Sequence, residues 1–133
     1  MAVQYGTTLR NTWLDDWETT IGTNAKIYFR TGSPPANCAA ADTGTLLVEF
    51  DLATDWASAA SGGSKSLSGL PLAAVAVATG AVGHYRIKDS TGTTCHEQGV
   101  VSASGGDISI DAITITNGHT IQITGYTKTA PGA

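Results

Sequence analysis

The 133-residue sequence is short of charge, and above all of basic residues. Charged side chains make up 14% of the chain, and seven Lys and Arg against eleven Asp and Glu give a net charge of −4. The basic residues are scattered from Arg10 to Lys128. Because the phosphates of nucleic acids require a concentrated basic face, this composition argues against a nucleic-acid partner.

A long hydrophobic run is also missing. The longest nearly apolar stretch, Leu70–Val82, is too short to cross a bilayer and is interrupted by Pro71, Thr79 and Gly80. Residues 1–5 lack the basic and apolar regions of a secretory signal. We therefore expect no membrane partner, and we expect the chain to be made and folded in a cytosol.

Cysteine is scarce as well. Cys38 and Cys95 lie far apart in the sequence, and their spacing fits no metal-binding pattern. In a reducing cytosol we expect both thiols to be free. The alternative is that the loop with Cys38 packs against the strand with Cys95, so that the thiols meet and oxidise after release.

Recognisable catalytic motifs are absent from the sequence. It contains no Gly-x-Ser-x-Gly elbow and no Cys/His pairing in a familiar context, and Ser61–Lys65 lacks the spacing of a P-loop. His84, His96 and His119 fall in or beside strands of different hairpins, so we interpret them as solvent-facing or singly hydrogen-bonded. Strand alternation puts Cys95 and Glu97 on one side and His96 on the other.

The pairs of acidic residues do not predict a catalytic or metal site either. Asp15 and Asp16 fall on the predicted polar face of a helix, where solvation explains them. Asp107 and Asp111 flank a predicted strand and point to one side, but a calcium site would need a Gly- and Asp-rich ligand loop, which is missing. We expect no catalytic residue, metal ligand or cofactor, and hence not an enzyme.

The sequence does contain one clear helix signal, over residues of about 7 to 21. Thr7 or Thr8 can cap its start, and Gly22 is placed to end it. The predicted apolar face consists of Leu9, Trp13, Leu14, Trp17 and Ile21. The predicted polar face carries Asp15, Asp16 and Glu18. We expect the apolar face to lie on a β core as a lid; contact with another subunit is the alternative.

Most other segments alternate with the period of a β-strand. The clearest are Leu46–Leu52 and the hairpin of residues 83–101, which turns at Asp89–Gly92. In that hairpin His84, Arg86 and Lys88 alternate with Tyr85 and Ile87, which predicts a half-buried strand. Other predicted strands are Lys26–Arg30, Leu72–Ala78, Asp107–Asp111, Ile113–Thr116 and His119–Tyr126.

Asn117-Gly118 predicts a second tight hairpin, in which Ile113 and Ile115 face Ile121 and Ile123. One helix and seven or eight short strands predict a mainly β fold, an antiparallel β-sandwich or jelly-roll-like domain. Residues 1–133 are expected to form this single domain, with an N-terminal arm before the short helix.

Taken together, several segments resemble a family of small virion proteins encoded by tailed bacteriophages and prophages. These are the helix ending Glu18-Thr-Thr-Ile-Gly22, the segment Thr31-Gly-Ser-Pro-Pro-Ala-Asn-Cys-Ala-Ala-Ala-Asp-Thr-Gly-Thr-Leu-Leu47, the hairpin Gly83-His-Tyr-Arg-Ile-Lys-Asp89 with Thr94-Cys95-His96, and the Thr/Ile-rich end of the chain. The resemblance transfers no catalytic residue. Small β-rich phage proteins of this size often act as cement, or decoration, proteins.

The resemblance implies a non-enzymatic virion protein that binds the assembled capsid and bridges neighbouring subunits. Its partners would be the major capsid protein of the same phage and further copies of itself, as a dimer or trimer. The expected contact segments are Ala2–Gly6, Gly32–Thr45 and Ala57–Lys65, or Lys26–Arg30 as an edge strand. The alternative is a tail- or fibre-associated protein that binds a host glycan through an exposed Trp56 or Tyr126.

Overall fold

A computed structural model describes residues 3–102 and 108–132 of the chain. Within these ranges the fold is mainly β with one helix, as the sequence predicts. The helix α1 (Thr7–Ile21) is followed by strands β1 (Lys26–Thr31), β2 (Leu46–Asp51), β3 (Ser64–Ser66), β4 (Leu72–Val75), β5 (Gly80–Lys88), β6 (Cys95–Ser102), β7 (Ile108–Ile110), β8 (Thr114–Ile115), β9 (Thr120–Gly125) and β10 (Thr127–Thr129).

The main sheet runs in the order β2-β1-β5-β6-β7-β9-β4, with β8 paired to β5. Its pairings are antiparallel, apart from the parallel pairing of β6 with β7. The segment after β4 returns to the other end of the sheet, where Val77 N–H donates to the Leu47 carbonyl at 2.8 Å. The sheet is therefore nearly closed, in a sandwich- or barrel-like fold, while β3 and β10 form a small second sheet.

The interior of the sheet is filled by the apolar side chains of its alternating strands. Ile27 and Phe29 of β1 are fully buried, and Phe50 of β2 packs against Phe29 with ring centroids 5.0 Å apart. Burying side chains of this size contributes roughly 1.5–3 kcal/mol each. Because β1 lies between β2 and β5, it is a central strand, and the expectation that it offers a free edge is wrong.

The helix has the predicted bounds but a different buried face. Its last turn is closed by Gly22 at φ 92°, whose N–H donates to the Glu18 carbonyl, whereas Gly6, not a threonine, precedes its first turn. The buried side chains are Arg10, Leu14 and Ile21. Leu9 and Trp13 are 44% and 39% exposed, so the predicted apolar lid is only partly correct.

Polar contacts determine which face of the helix is buried. The Arg10 guanidinium donates to the Ala130 carbonyl at 2.8 and 3.3 Å. Lys65 of β3, with its side chain 1% exposed, pairs with Asp15 at 2.8 Å and Glu18 at 3.0 Å. Asp15 is therefore an ion-pair partner and not only a solvated acid. Residues 57–65 are not an open loop, because Ala57 pairs with Leu67 and Ser61 with Ser64.

For the final hairpin, the predicted turn is confirmed, but the predicted pairing of its two arms with each other is wrong. His119 N–H donates to the Thr116 carbonyl at 3.0 Å, and Gly118 takes the positive φ of 88° that the turn requires. The turn is bonded to the segment after β4, since Gly118 N–H donates to the Ala76 carbonyl. As a result the two arms diverge: β8 pairs with β5, and β9 pairs with β4 and β7.

Candidate functional site

The loop of residues 32–45, here called the 32–45 loop, covers one face of β5. His84, Arg86 and Lys88 are 0%, 2% and 9% exposed, so this strand, which the sequence predicts to be half-buried, is buried on its polar face as well. Arg86 donates to the Cys38 carbonyl at 2.9 Å, and His84 Nδ1 bonds the Gly32 carbonyl at 2.9 Å. The histidine is therefore singly hydrogen-bonded, which is one of the two environments predicted for it.

Asp42 is the ionic anchor of the 32–45 loop. Its carboxylate accepts hydrogen bonds from Arg86 Nη1 at 2.5 Å, Lys88 Nζ at 2.7 Å and Arg30 Nη2 at 3.3 Å. Burial alone would raise the pKa of Asp42, but the bonds from Lys88 and Arg86 and the charge of Arg30 outweigh it and lower the pKa from 3.8 to about 2. Asp42 is therefore ionised and holds three cations.

A disulfide joins the 32–45 loop to the sheet. Cys38 and Cys95 are bonded, with their Cα atoms 5.3 Å apart. The expectation of two free thiols is wrong, and the alternative arrangement, in which this loop packs against the return strand of the hairpin, is the one formed. The disulfide forms because the loop lies over β5 and β6, which brings Cys38 beside the start of β6.

A β-bulge separates Cys95 from Glu97. Lys88 pairs with Cys95 but Ile87 pairs with Glu97, with a register shift between them. Paired residues share a face, so Cys95 lies on the face of Lys88 and Glu97 on the opposite face. The prediction that both share a side is wrong, because simple alternation does not hold across a bulge.

Glu97 collects four donors beneath the helix. Its Oε1 accepts from Trp17 Nε1 at 2.8 Å and Lys128 Nζ at 2.7 Å, and its Oε2 accepts from Tyr85 Oη at 2.6 Å and from Tyr126 Oη. A cleft of about 390 Å³ opens beside them. No local sequence pattern indicates this cluster, because its members come from α1, β5, β6 and the end of the chain.

The hydrogen bonds and charges around Glu97 keep its carboxylate ionised. Burial would raise the pKa of Glu97, but hydrogen bonds from Lys128, Tyr126 and Tyr85 outweigh it and lower the pKa below 4.5. Burial and the charge of Glu97 raise the pKa of Tyr85 above its ordinary value of 10.0. Because both carboxylate oxygens are already occupied by donors, Glu97 ties three parts of the chain together and is poorly placed to transfer a proton.

Among the described residues, six of the eight large apolar side chains that are exposed fall in two groups. The first, here called the N-terminal stripe, consists of Val3, Tyr5, Leu9 and Trp13, which are 70%, 40%, 44% and 39% exposed. The Tyr5 and Trp13 rings meet edge to face at 4.9 Å, and Tyr5 N–H donates to the Gly132 carbonyl at 2.7 Å. The second, the strand-edge patch, consists of Val75 of β4 and Val77 just after it, 58% and 59% exposed, where this segment meets β2 and nearly closes the main sheet.

The remaining candidates from the sequence do not converge. Trp56 and Tyr126 are buried, at 2% and 5% exposure. Asp111 accepts the Gln122 N–H, while Asp107 lies outside the described residues. Within residues 3–102 and 108–132, no three His, Cys, Asp or Glu side chains are grouped to hold a metal ion, and no helix is long and apolar enough to cross a membrane. No family model, curated protein or solved structure matches this chain.

Proposed function

We propose that this chain is a non-enzymatic structural protein of a tailed-phage virion, which binds the assembled capsid surface and stabilises it by bridging neighbouring capsid subunits. The observation that carries this proposal is the N-terminal stripe. The helix buries Leu14 and Ile21, yet it leaves Leu9 and Trp13 44% and 39% exposed. Large aromatic side chains at the surface are typical of the centres of protein interfaces.

The surroundings of the stripe favour a protein partner. The exposed neighbours of Leu9 on α1 are Thr7, Thr8 and Thr12, so little charge would have to be desolvated at that end of the stripe. The exposed Asp16 lies about one turn after Trp13 and would stay at the rim of the contact. Tyr5 is held by Gly132 and by the Trp13 ring, which limits the ordering cost at that position. The major capsid protein of the same phage is the proposed occupant.

Bridging requires a second contact, and the strand-edge patch supplies one. Val75 and Val77 belong to the last strand of the main sheet and its extension, whereas the stripe belongs to the arm and helix. A copy that contacts two capsid subunits, or one subunit and another copy in a dimer or trimer, gains from both contacts at once. Such binding favours the assembled lattice over free subunits.

Two observations support this function over its rivals. The Glu97 carboxylate is saturated by four donors, an arrangement suited to holding the fold and not to acid–base chemistry. A glycan-binding tail protein was expected to expose Trp56 or Tyr126, and both are buried. The experiment below therefore tests the tail-associated role as the alternative result.

The test is co-sedimentation of the purified protein with capsids assembled without it. Trp13→Ser should weaken binding to the shells by about 30-fold or more, as expected for an aromatic residue at the centre of an interface. Ile113→Ser is the matched control, because Ile113 is 42% exposed but belongs to neither surface. Equal binding of both variants, or binding of the wild type to tails and not to shells, would overturn the proposed function.

A further inference from the structure

Both cysteines of the disulfide line an open cleft. The cleft has a volume of about 360 Å³ and lies between residues 38–42 of the 32–45 loop and the strands β5 and β6. Cys38 and Cys95 are each half-buried, and both belong to its lining. A cysteine buried in apolar surroundings is inert, whereas an accessible disulfide can be attacked by a thiol. The Cys38–Cys95 bond is therefore open to a small reagent in solution.

The charge of this cleft is positive. Among the described residues, the charged side chains in its lining are Arg86, Lys88 and Asp42. Asp42 is ionised and pairs with both cations, so the three groups carry a formal charge of 2 − 1 = +1. Arg30, outside the lining, adds a further cation to the same carboxylate. The whole chain carries −4, so the cleft has the opposite sign to the protein.

Positive charge beside a disulfide acts on both sulfurs that change partner. The attacking group is a thiolate anion, and the cysteine that leaves also becomes a thiolate. A nearby cation stabilises a thiolate relative to its thiol, so the cleft favours the leaving group whichever cysteine is attacked. It also attracts a reagent that carries further negative charge, because opposite charges a few ångströms apart attract each other even in water.

The size of the cleft sets the class of reagent. Its volume falls at the lower end of the range of small-ligand sites, which is roughly 300–1,000 Å³. The uncharged part of the lining consists of Ala39, Ala40, Ala41 and Thr93 beside the two cysteines. These short side chains leave the approach to the sulfurs open to a compact thiol. The combination of size and charge favours a small thiol that carries carboxylates.

We propose that this cleft is a site of thiol–disulfide exchange, at which a small anionic thiol reduces the Cys38–Cys95 bond in the folded protein. The thiolate of the reagent forms a bond to one cysteine sulfur, the bond between the cysteines breaks, and its electron pair leaves on the other cysteine as a thiolate. A second reagent thiolate attacks the mixed disulfide and releases the oxidised reagent and the second cysteine thiolate, and water supplies the protons. The protein disulfide thus gains two electrons, and two reagent thiols become one disulfide. The ion pairs of Asp42 then hold the 32–45 loop without a covalent bond.

The experiment compares three thiols as reductants of the folded full chain: anionic glutathione, neutral 2-mercaptoethanol and cationic cysteamine. The ionic strength is about 0.1 M, at which charges beyond about 10 Å are screened. Free cysteines are alkylated and counted by mass spectrometry over time. Each rate is corrected for the thiolate fraction of the reagent and divided by its rate with a small neutral disulfide.

Glutathione should then react about tenfold faster than cysteamine, with 2-mercaptoethanol between them. This is the effect expected of a two-unit difference in charge at about 5 Å from one positive charge. The net charge of the whole protein would produce the opposite order, because it repels the anionic thiol and attracts the cationic one. Equal corrected rates, or a faster reaction with cysteamine, would overturn the assignment.

Variants and urea test where and in which state the reaction occurs. Lys88→Gln should remove most of the preference for glutathione. Lys128→Gln, which removes the same charge beside Glu97 on the opposite face of the sheet, should keep it. Urea below the unfolding transition should leave the rate unchanged, since a reaction through the unfolded chain would accelerate as stability falls. Such acceleration, or the same loss of preference in both variants, would contradict the proposal. The comparison of thiols on the wild type decides the question even if Lys88→Gln does not fold.

Discussion

Removal of the Cys38–Cys95 disulfide is expected to lower the free energy of unfolding by about 4 kcal/mol. The bond spans a separation of 57 residues, and a loop of this size restricts the unfolded chain by an entropy worth about 4 kcal/mol at 25 °C. In the Cys38→Ser/Cys95→Ser variant, the ion pairs of Asp42 still hold the 32–45 loop in the folded state. The loss is therefore expected mainly through the unfolded state, as a decrease in Tm of roughly 15 °C.

The assay is urea denaturation of the oxidised wild type and of the double variant, each with and without dithiothreitol. Reductant should bring the wild type to the stability of the variant and should leave the variant unchanged. Thiol titration under denaturing conditions supplies the control, with no free thiol expected in the oxidised wild type. The reasoning is refuted if both thiols titrate as free, or if the variant loses less than about 1 kcal/mol.

The remaining predictions concern the carboxylates of Asp42 and Glu97 and the helix. Burial raises the pKa of Asp42, but its cationic partners lower it to about 2, so its contribution to stability is complete above about pH 4 and is lost as pH falls toward 2. Because Asp42 is partly exposed to solvent, which screens its ion pairs, Asp42→Asn should remove about 1 kcal/mol of pH dependence from that window, measured by urea midpoints. Trp17→Phe removes a donor from buried Glu97 and should cost about 1.5–3 kcal/mol in denaturation. Trp13→Phe, at an exposed position, should change stability by less than about 0.5 kcal/mol.

The elements of this fold could largely be predicted from local sequence. The helix begins at Thr7 and ends at Ile21 because its apolar positions repeat at helical spacing and Gly22 can take a positive φ. The turn at Asn117-Gly118 forms for the same kind of local reason. These signals lie within a few residues of each other, so no long-range contact is needed to read them.

The orientation of those elements depended on distant partners. Leu9 and Trp13 are apolar, yet the helix buries Arg10 because the Ala130 carbonyl, 120 residues away, accepts its guanidinium hydrogens. Lys65 similarly draws Asp15 toward β3. Hydrophobic periodicity predicts that a helix has a buried face, but the polar pairs that choose between adjacent faces are not visible in a local pattern.

The candidate sites could not be predicted from the sequence for the same reason. The alternation of His84, Arg86 and Lys88 correctly predicts one polar face, but not the loop that covers it. That cover depends on Asp42 and Cys38, which reach β5 and β6 from 44 or more residues earlier in the chain. The bulge that separates Cys95 from Glu97 is equally invisible to a strict two-residue period.

The most direct measurement of the proposed capsid role is the number of copies bound per shell at saturation. Capsids assembled without the protein would be titrated with it, sedimented, and quantified against the major capsid protein. Saturation at a fixed number set by the icosahedral symmetry, with a higher temperature of capsid disruption and no binding to free capsid subunits, is the predicted result. Binding that does not saturate, or that is equally strong for free subunits, would contradict the bridging role.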